Sequence, residues 1–150
     1  MRQNKQNQII YFFPDPQVGG VEKNFFIISK YLATFYERSL IITGNNIDKK
    51  ISKKIKLIKI SKFWVNINRR LFFIICSIKL FFISAKLNKS VIFSFQGNFY
   101  AIIVAILLKK KIIIRSNLSP QGWKGSPLKR KIFRFLLTKA NLIIVNSKEF

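Results

Sequence analysis

Ile9-Ile10-Tyr11-Phe12-Phe13-Pro14-Asp15-Pro16-Gln17-Val18-Gly19-Gly20-Val21-Glu22 is the stretch on which the fold turns. A short apolar run suits a buried strand. Pro14 and Pro16 cannot donate to a sheet ladder, so they stop the strand and stiffen its exit. Gly19 and Gly20 let the backbone turn and approach a ligand with no Cβ in the way. Beyond them Phe25, Ile28, Leu32 and Phe35 recur at helical spacing. The order is strand, tight loop, helix. Free N–H groups at such a helix start suit a phosphate or carboxylate, although a Gly-Gly pair at this position serves equally well as a plain turn. Glu22 reads as a first-turn residue favoured by the helix dipole rather than as a catalytic group.

The same alternation continues outward. Arg38 to Thr43 is a second strand, stopped by Gly44-Asn45-Asn46. The segment Asp48 to Lys62 carries seven lysines, and within it Lys54-Ile55-Lys56-Leu57 and Lys59-Ile60 alternate with period two, which predicts a half-exposed strand at a sheet edge. Phe63 to Ile67 reads as either a loop or a helix start. Leu71 to Lys86 is helical, with Lys79 and Lys86 on one face and Arg69-Arg70 near its beginning. Val91 to Ser94 and Lys111 to Arg115 are uniformly apolar at their centres, as strands covered on both faces are. A helix-like run from Tyr100 to Leu108 separates them. A basic helix follows from Leu128 to Lys139, with Leu128, Ile132, Phe135 and Leu136 assigned to its inner face. Asn141 to Val145 is a last strand, and Asn146-Ser147-Lys148-Glu149 has the form of a further helix cap.

The pattern β-α-β-β-α-β-α-β-α-β predicts one Rossmann-like α/β domain over residues 1–150, three layers deep, with a mainly parallel sheet. In open sheets of this kind ligands bind beyond the carboxyl ends of the strands. The polar and glycine residues fall there: Asp15 to Gly20, Gln96 to Asn98, Arg115 to Gln121 and Asn146-Ser147. Their convergence on one rim points to a ligand site more strongly than any single loop does.

Composition narrows the chemistry. There is no histidine and one cysteine, Cys76, so a zinc site of the usual ligands and a histidine-based triad are both excluded. Five carboxylates, Asp15, Glu22, Glu37, Asp48 and Glu149, are all that acid–base chemistry could draw on. Cys76 sits in an apolar run and reads as buried and inert. G-x-G-x-x-G, the P-loop signature and the G-x-S-x-G elbow are absent. No secretory h-region is evident at the N-terminus, and Leu71 to Ala85, interrupted by Lys79, is too short to span a bilayer.

The net charge of +23 has three readings: a solvated lysine-rich surface, an anionic membrane surface as partner, or nucleic acid. The phenylalanines are embedded in aliphatic runs, a core pattern rather than the stacking platforms of nucleic-acid modules.

Taken in order, several segments resemble a known family. They are the Gly19-Gly20-Val21-Glu22 loop, Val91-Ile92-Phe93-Ser94-Phe95-Gln96-Gly97-Asn98, Ile112 to Pro120, and Ala140-Asn141-Leu142-Ile143-Ile144-Val145-Asn146-Ser147. Together the chain is similar to the N-terminal, acceptor-side domain of family 4 (group 1) glycosyltransferases of the GT-B fold.

The resemblance implies metal-independent transfer of a sugar from a nucleotide-sugar, with retention of configuration, to a glycan or lipid-linked acceptor of the cell-surface polysaccharide or lipopolysaccharide type. It implies Gly19, Gly20, Gln96, Asn98, Arg115, Ser116 and Asn117 as substrate-binding positions, with no catalytic residue assigned. The family often places a histidine near Asn117. This chain has none, which leaves Arg115, Ser116 or Asn117 to bind in its place. The family carries its nucleotide-sugar pocket in a second domain, which is expected to be absent here. No covalently bound cofactor is expected, and the donor is expected to bind only with that second domain.

Three further expectations follow: little turnover by the chain alone, a cytoplasmic location at the inner face of the plasma membrane, and a separate donor-domain chain as partner. The alternatives are a basic nucleic-acid-binding module and a non-catalytic α/β domain that docks onto a partner protein.

Overall fold

The computed structural model describes residues 8–17, 19–44, 55–61, 68–116 and 126–145. Its strands are β1 (Gln8–Phe12), β2 (Arg38–Thr43), β3 (Ile55–Lys59), β4 (Ser90–Ser94), β5 (Lys111–Ser116) and β6 (Leu142–Val145). Its helices are α1 (Gly20–Leu32), α2 (Arg69–Lys86), α3 (Asn98–Leu107) and α4 (Pro127–Leu137). The expected alternation is met element by element. The expected readings of Phe63 to Ile67, Asn117 to Gln121 and Asn146 to Glu149 lie outside the described residues.

The strands form one parallel sheet in the order β3-β2-β1-β4-β5-β6. The chain therefore builds outward in one direction from β1 and in the other from β4. Because crossovers of one hand reverse face when the direction of travel reverses, the helices divide between the two faces. Phe25 of α1 packs on one face with Ile9, Tyr11, Ile41, Phe93 and Phe95. Phe72, Cys76 and Leu80 of α2, Ile102 and Ala105 of α3, and Leu136 of α4 pack on the other, against Ile10, Phe12, Ile42, Ile92 and Ile114. That makes three layers of a Rossmann-like α/β fold.

β1 is central, and Ile9 to Phe12 are wholly buried, each side chain contributing about 1.5 to 3 kcal/mol by leaving water. Register places Tyr11 beside Ile41 on one side and Phe93 on the other. Around it Phe93 stacks on Phe95 at 4.5 Å, and Tyr11 meets Phe25 edge-on at 5.5 Å. The phenylalanines of the sequence are thus core, and the Tyr11 hydroxyl, pointing into α1, donates to the Ser29 carbonyl at 3.4 Å.

Two expectations need correction. Phe35 lies beyond the end of α1 and is half exposed, because the helix stops at Leu32 and Ser29 takes the remaining place against the sheet. In α4, Leu128, Ile132 and Phe135 face solvent at 66, 44 and 60 % exposure. The sheet is met instead by Leu136, with Leu137 and Ala140 beside it. The helix carries two apolar stripes roughly 110° apart at about 100° per residue. Periodicity alone cannot say which one faces inward.

The two sheet edges also differ. β3 is an edge strand, as expected, but its burial does not alternate: Lys56 and Leu57 are both exposed, as is Lys59 on the face opposite Lys56, and these charges discourage strand addition. β6 has no charge, and Leu142 and Ile143 are exposed.

Candidate functional site

Strand order reverses between β1 and β4, so the loops leaving these two strands diverge and open a crevice at their carboxyl ends. Pro14, Asp15 and Pro16 form one wall, and Phe95, Gln96 and Gly97 form the other. Main-chain bonds anchor both. Phe95 N–H donates to the Phe12 carbonyl at 3.0 Å, Phe13 N–H to Ile42 at 3.1 Å, and Gly44 N–H to Pro14 at 2.8 Å. Asp15 N–H donates to Gln96 Oε1 at 3.1 Å and ties the walls together at the mouth.

A polar relay runs from this mouth toward β5. Ser94 Oγ is 2.8 Å from Asn98 Oδ1 and 3.0 Å from the Gln96 carbonyl, so its single proton is shared between two acceptors. Asn98 Nδ2 donates in turn to the Arg115 carbonyl at 2.9 Å. Arg115 and Ser116 end β5 and are buried. The Arg115 guanidinium lies 5.9 Å over the Phe95 ring, and its Nη1 donates to the Val21 carbonyl in the first turn of α1 at 3.4 Å. Burial lowers the pKa of Arg115, yet an arginine keeps its charge at neutral pH. Its positive charge therefore stays beneath the start of α1.

Gln96, Asn98 and Arg115 are thereby brought into one network, with Ser116 next in sequence at the end of β5 and Gly19 and Gly20 at the start of α1 beside it. Asn117 lies outside the described residues. Gly19 is extended (φ 162°) and Gly20 opens the helix, so neither holds a left-handed turn. A Cβ on Gly19 would meet nothing closer than 3.9 Å, and one on Gly20 nothing within 4 Å. Both positions face open space.

The glycine that the fold does require is Gly97, which the sequence reading passed over. Its φ is +65°, and a Cβ there would lie 2.6 Å from Phe73 and 3.2 Å from Phe12. It caps α3, so the first N–H groups of α3 open at the crevice beside those of α1. Its only sequence signal is the polar break Gln96-Gly97-Asn98 between two apolar runs.

α2 supplies a second missed residue, Arg69. Its Nε lies 3.5 Å from Asp15 Oδ2, the one ion pair among the described residues, and its guanidinium sits 5.7 Å over the Phe73 ring. Asn68 caps this helix by accepting from Arg70 N–H at 2.8 Å. Glu22 lies in the first turn of α1, as the helix dipole favours.

A cavity of about 550 Å³ opens at the opposite end of the sheet, lined by Gln8, Glu37, Arg38, Lys56 and Lys86 among others. It faces strand starts and the carbonyl end of α2, where Lys110 Nζ already caps Leu87 and Asn88 at 2.6 and 2.8 Å. Helix N-termini, glycines and switch-point geometry all favour the crevice instead. No described helix is long and apolar enough to cross a membrane.

No protein-family model and no curated protein matches the chain. Among solved structures it is similar to Anabaena HepE, determined in complex with UDP and glucose. The TM-score is 0.64 at 13 % identity, over 95 % of this chain and 38 % of that one. The likeness is one of fold, and the chain spans little more than a third of that protein's length.

Proposed function

We propose that this chain is the acceptor-side half of a sugar-transfer enzyme of the GT-B kind, holding a glycan or lipid-linked acceptor in the β1/β4 crevice. One observation carries the proposal. The loops that resemble family 4 glycosyltransferases are those joined at the switch point through Asp15–Gln96 and Asn98–Arg115. The shared fold with a protein solved with UDP and glucose supports it. In this reading Gln96, Asn98, Arg115 and Ser116 line the acceptor side. The open space over Gly19 and Gly20 admits the donor diphosphate, held by a second nucleotide-binding domain.

That second domain follows from the physics of the site. A crevice at the rim of one sheet is open above its two walls, and transfer requires both substrates positioned and water excluded. A transfer assay with radiolabelled UDP-glucose and a lipid-linked acceptor, run on the chain alone and with a candidate donor-domain chain, is expected to give turnover only in the mixture. Robust turnover by the chain alone overturns the half-site proposal.

The charge belongs to the same proposal. On α4, Pro127, Arg130, Lys131 and Arg134 line one groove, and the exposed Leu128, Ile132 and Phe135 run beside it. Basic and apolar stripes side by side suit the inner face of an anionic membrane, at about 1 kcal/mol per cation near the surface. Nucleic acid has no use for the apolar stripe. Vesicles of phosphatidylglycerol are expected to pellet the chain at low salt, and phosphatidylcholine vesicles to leave it in solution. Equal binding to both overturns the electrostatic part.

A further inference from the structure

We infer that Arg69 is a binding residue for a phosphate group on the molecule held in the crevice, which makes the acceptor an anionic one. This rests on the crevice being the ligand site, as proposed above. Arg69 opens α2 and its side chain is 66 % exposed, so it is open to a ligand. It is nevertheless held at two points. Nε is ion-paired with Asp15 Oδ2 at 3.5 Å, and the Phe73 ring centroid lies 5.7 Å from Cζ.

Both anchors belong to the crevice. Asp15 bonds Gln96 across its mouth, and Phe73 packs where the missing Cβ of Gly97 leaves room. An arginine held through Nε keeps its two terminal nitrogens, and among the described residues these have no hydrogen-bond partner. The result is an oriented fork of donors, the geometry that matches two oxygens of a phosphate.

The surroundings favour a doubly charged group. The starts of α1 and α3 open into the same crevice, Arg115 lies buried against Phe95 and the first turn of α1, and the crevice carboxylate, Asp15, is already engaged by Arg69. A neutral acceptor would leave that positive potential unanswered.

Asp15 gives a test that separates positioning from general attraction. If the net charge alone drew anions in, Asp15→Asn would add a unit of positive charge and tighten binding. If Asp15 orients the fork, the same change weakens binding. The full chain is titrated by NMR with glucose, glucose 1-phosphate, inorganic phosphate and short-chain phosphatidylglycerol, following the Gly19, Gly20 and Gly97 amides.

Glucose 1-phosphate is expected to bind saturably and glucose not to bind. Arg69→Gln is expected to weaken it about tenfold, Arg69→Lys and Asp15→Asn about threefold, and Lys30→Gln, an exposed charge loss in the last turn of α1, less than twofold. The inorganic phosphate and phosphatidylglycerol arms show whether a free ion or a lipid headgroup supplies the phosphate. Tighter binding by Asp15→Asn, or equal losses for Arg69→Gln and Lys30→Gln, overturns the inference and leaves the crevice reading standing. No response of the three glycine amides to any probe overturns both.

Discussion

Gly97 shows what a single residue decides here. Its positive φ is a conformation that side chains adopt only under strain, and the rings of Phe73 and Phe12 occupy the space a Cβ would need. Gly97→Ala is therefore expected to cost about 2 kcal/mol or more, from the left-handed backbone and overpacking together. A lowered thermal midpoint by circular dichroism checks it. Alanine at Gly20, where nothing lies within 4 Å, is expected to leave the midpoint nearly unchanged.

Cys76 is the second residue-scale case. Burial pushes its thiol up to about 12, with a smaller push from the Asp15 carboxylate. The folded state thus favours the protonated thiol. That contribution is intact below the unfolded thiol's pKa of about 9 and fades as pH rises toward about 12. Burial also raises the Tyr11 phenol above its ordinary range, which adds to the loss at the alkaline end. Denaturant melts from about pH 8.5 to about pH 11 are expected to show a shallower decline for Cys76→Ala than for the parent. Parallel declines count against a raised thiol pKa. In the native state the thiol is expected to resist aromatic disulfide reagents until the chain unfolds.

At the scale of elements, the helix starts repay attention. Asn68 and Ser126 cap α2 and α4 through their side chains, whereas α1 and α3 begin at Gly19 and Gly97 without a side-chain cap. The two helices that open on the crevice are thus the two whose first N–H groups have no side-chain acceptor, an arrangement that leaves donors for a ligand.

α4 offers the sharper experiment because its two apolar stripes have opposite fates. Leu136→Ala is expected to cost about 2 to 5 kcal/mol, as large-to-small core changes do. Leu128→Ser and Phe135→Ser are expected to stay within about 0.5 kcal/mol in stability, while reducing binding to anionic vesicles. A large loss of stability in the exposed pair would mean that the stripe is covered within the folded chain.

For the whole molecule, the charge is the dominant constraint. A chain of 150 residues with a net charge of +23 repels itself when compact. Raising salt from about 0.01 M to about 0.15 M shortens the screening length from about 30 Å to about 8 Å. The thermal midpoint is expected to rise over that range, and the rise to be larger with a multivalent anion such as phosphate that also enters the crevice. A midpoint that falls with salt would show that attractive pairs outweigh repulsion, against the single ion pair seen among the described residues.

Much of this protein is legible in its sequence, for local reasons. Apolar runs of four to six residues, proline and glycine stops, and lysines at period two act within a few residues of themselves. They determined the order of the elements, the parallel sheet, the buried β1, β4 and β5 and the lysine-guarded β3. They also placed polar residues at the carboxyl ends of the strands. Only the tertiary structure decided that β1 and β4 are neighbours, because strand order depends on packing between segments some 80 residues apart. From that adjacency comes the Asp15–Gln96 bridge, and from the packing of helices on the sheet come the Arg69 ion pair, the need for glycine at 97 and the stripe of α4 that meets the sheet. Each depends on what stands opposite a residue in space, and a linear pattern does not carry that.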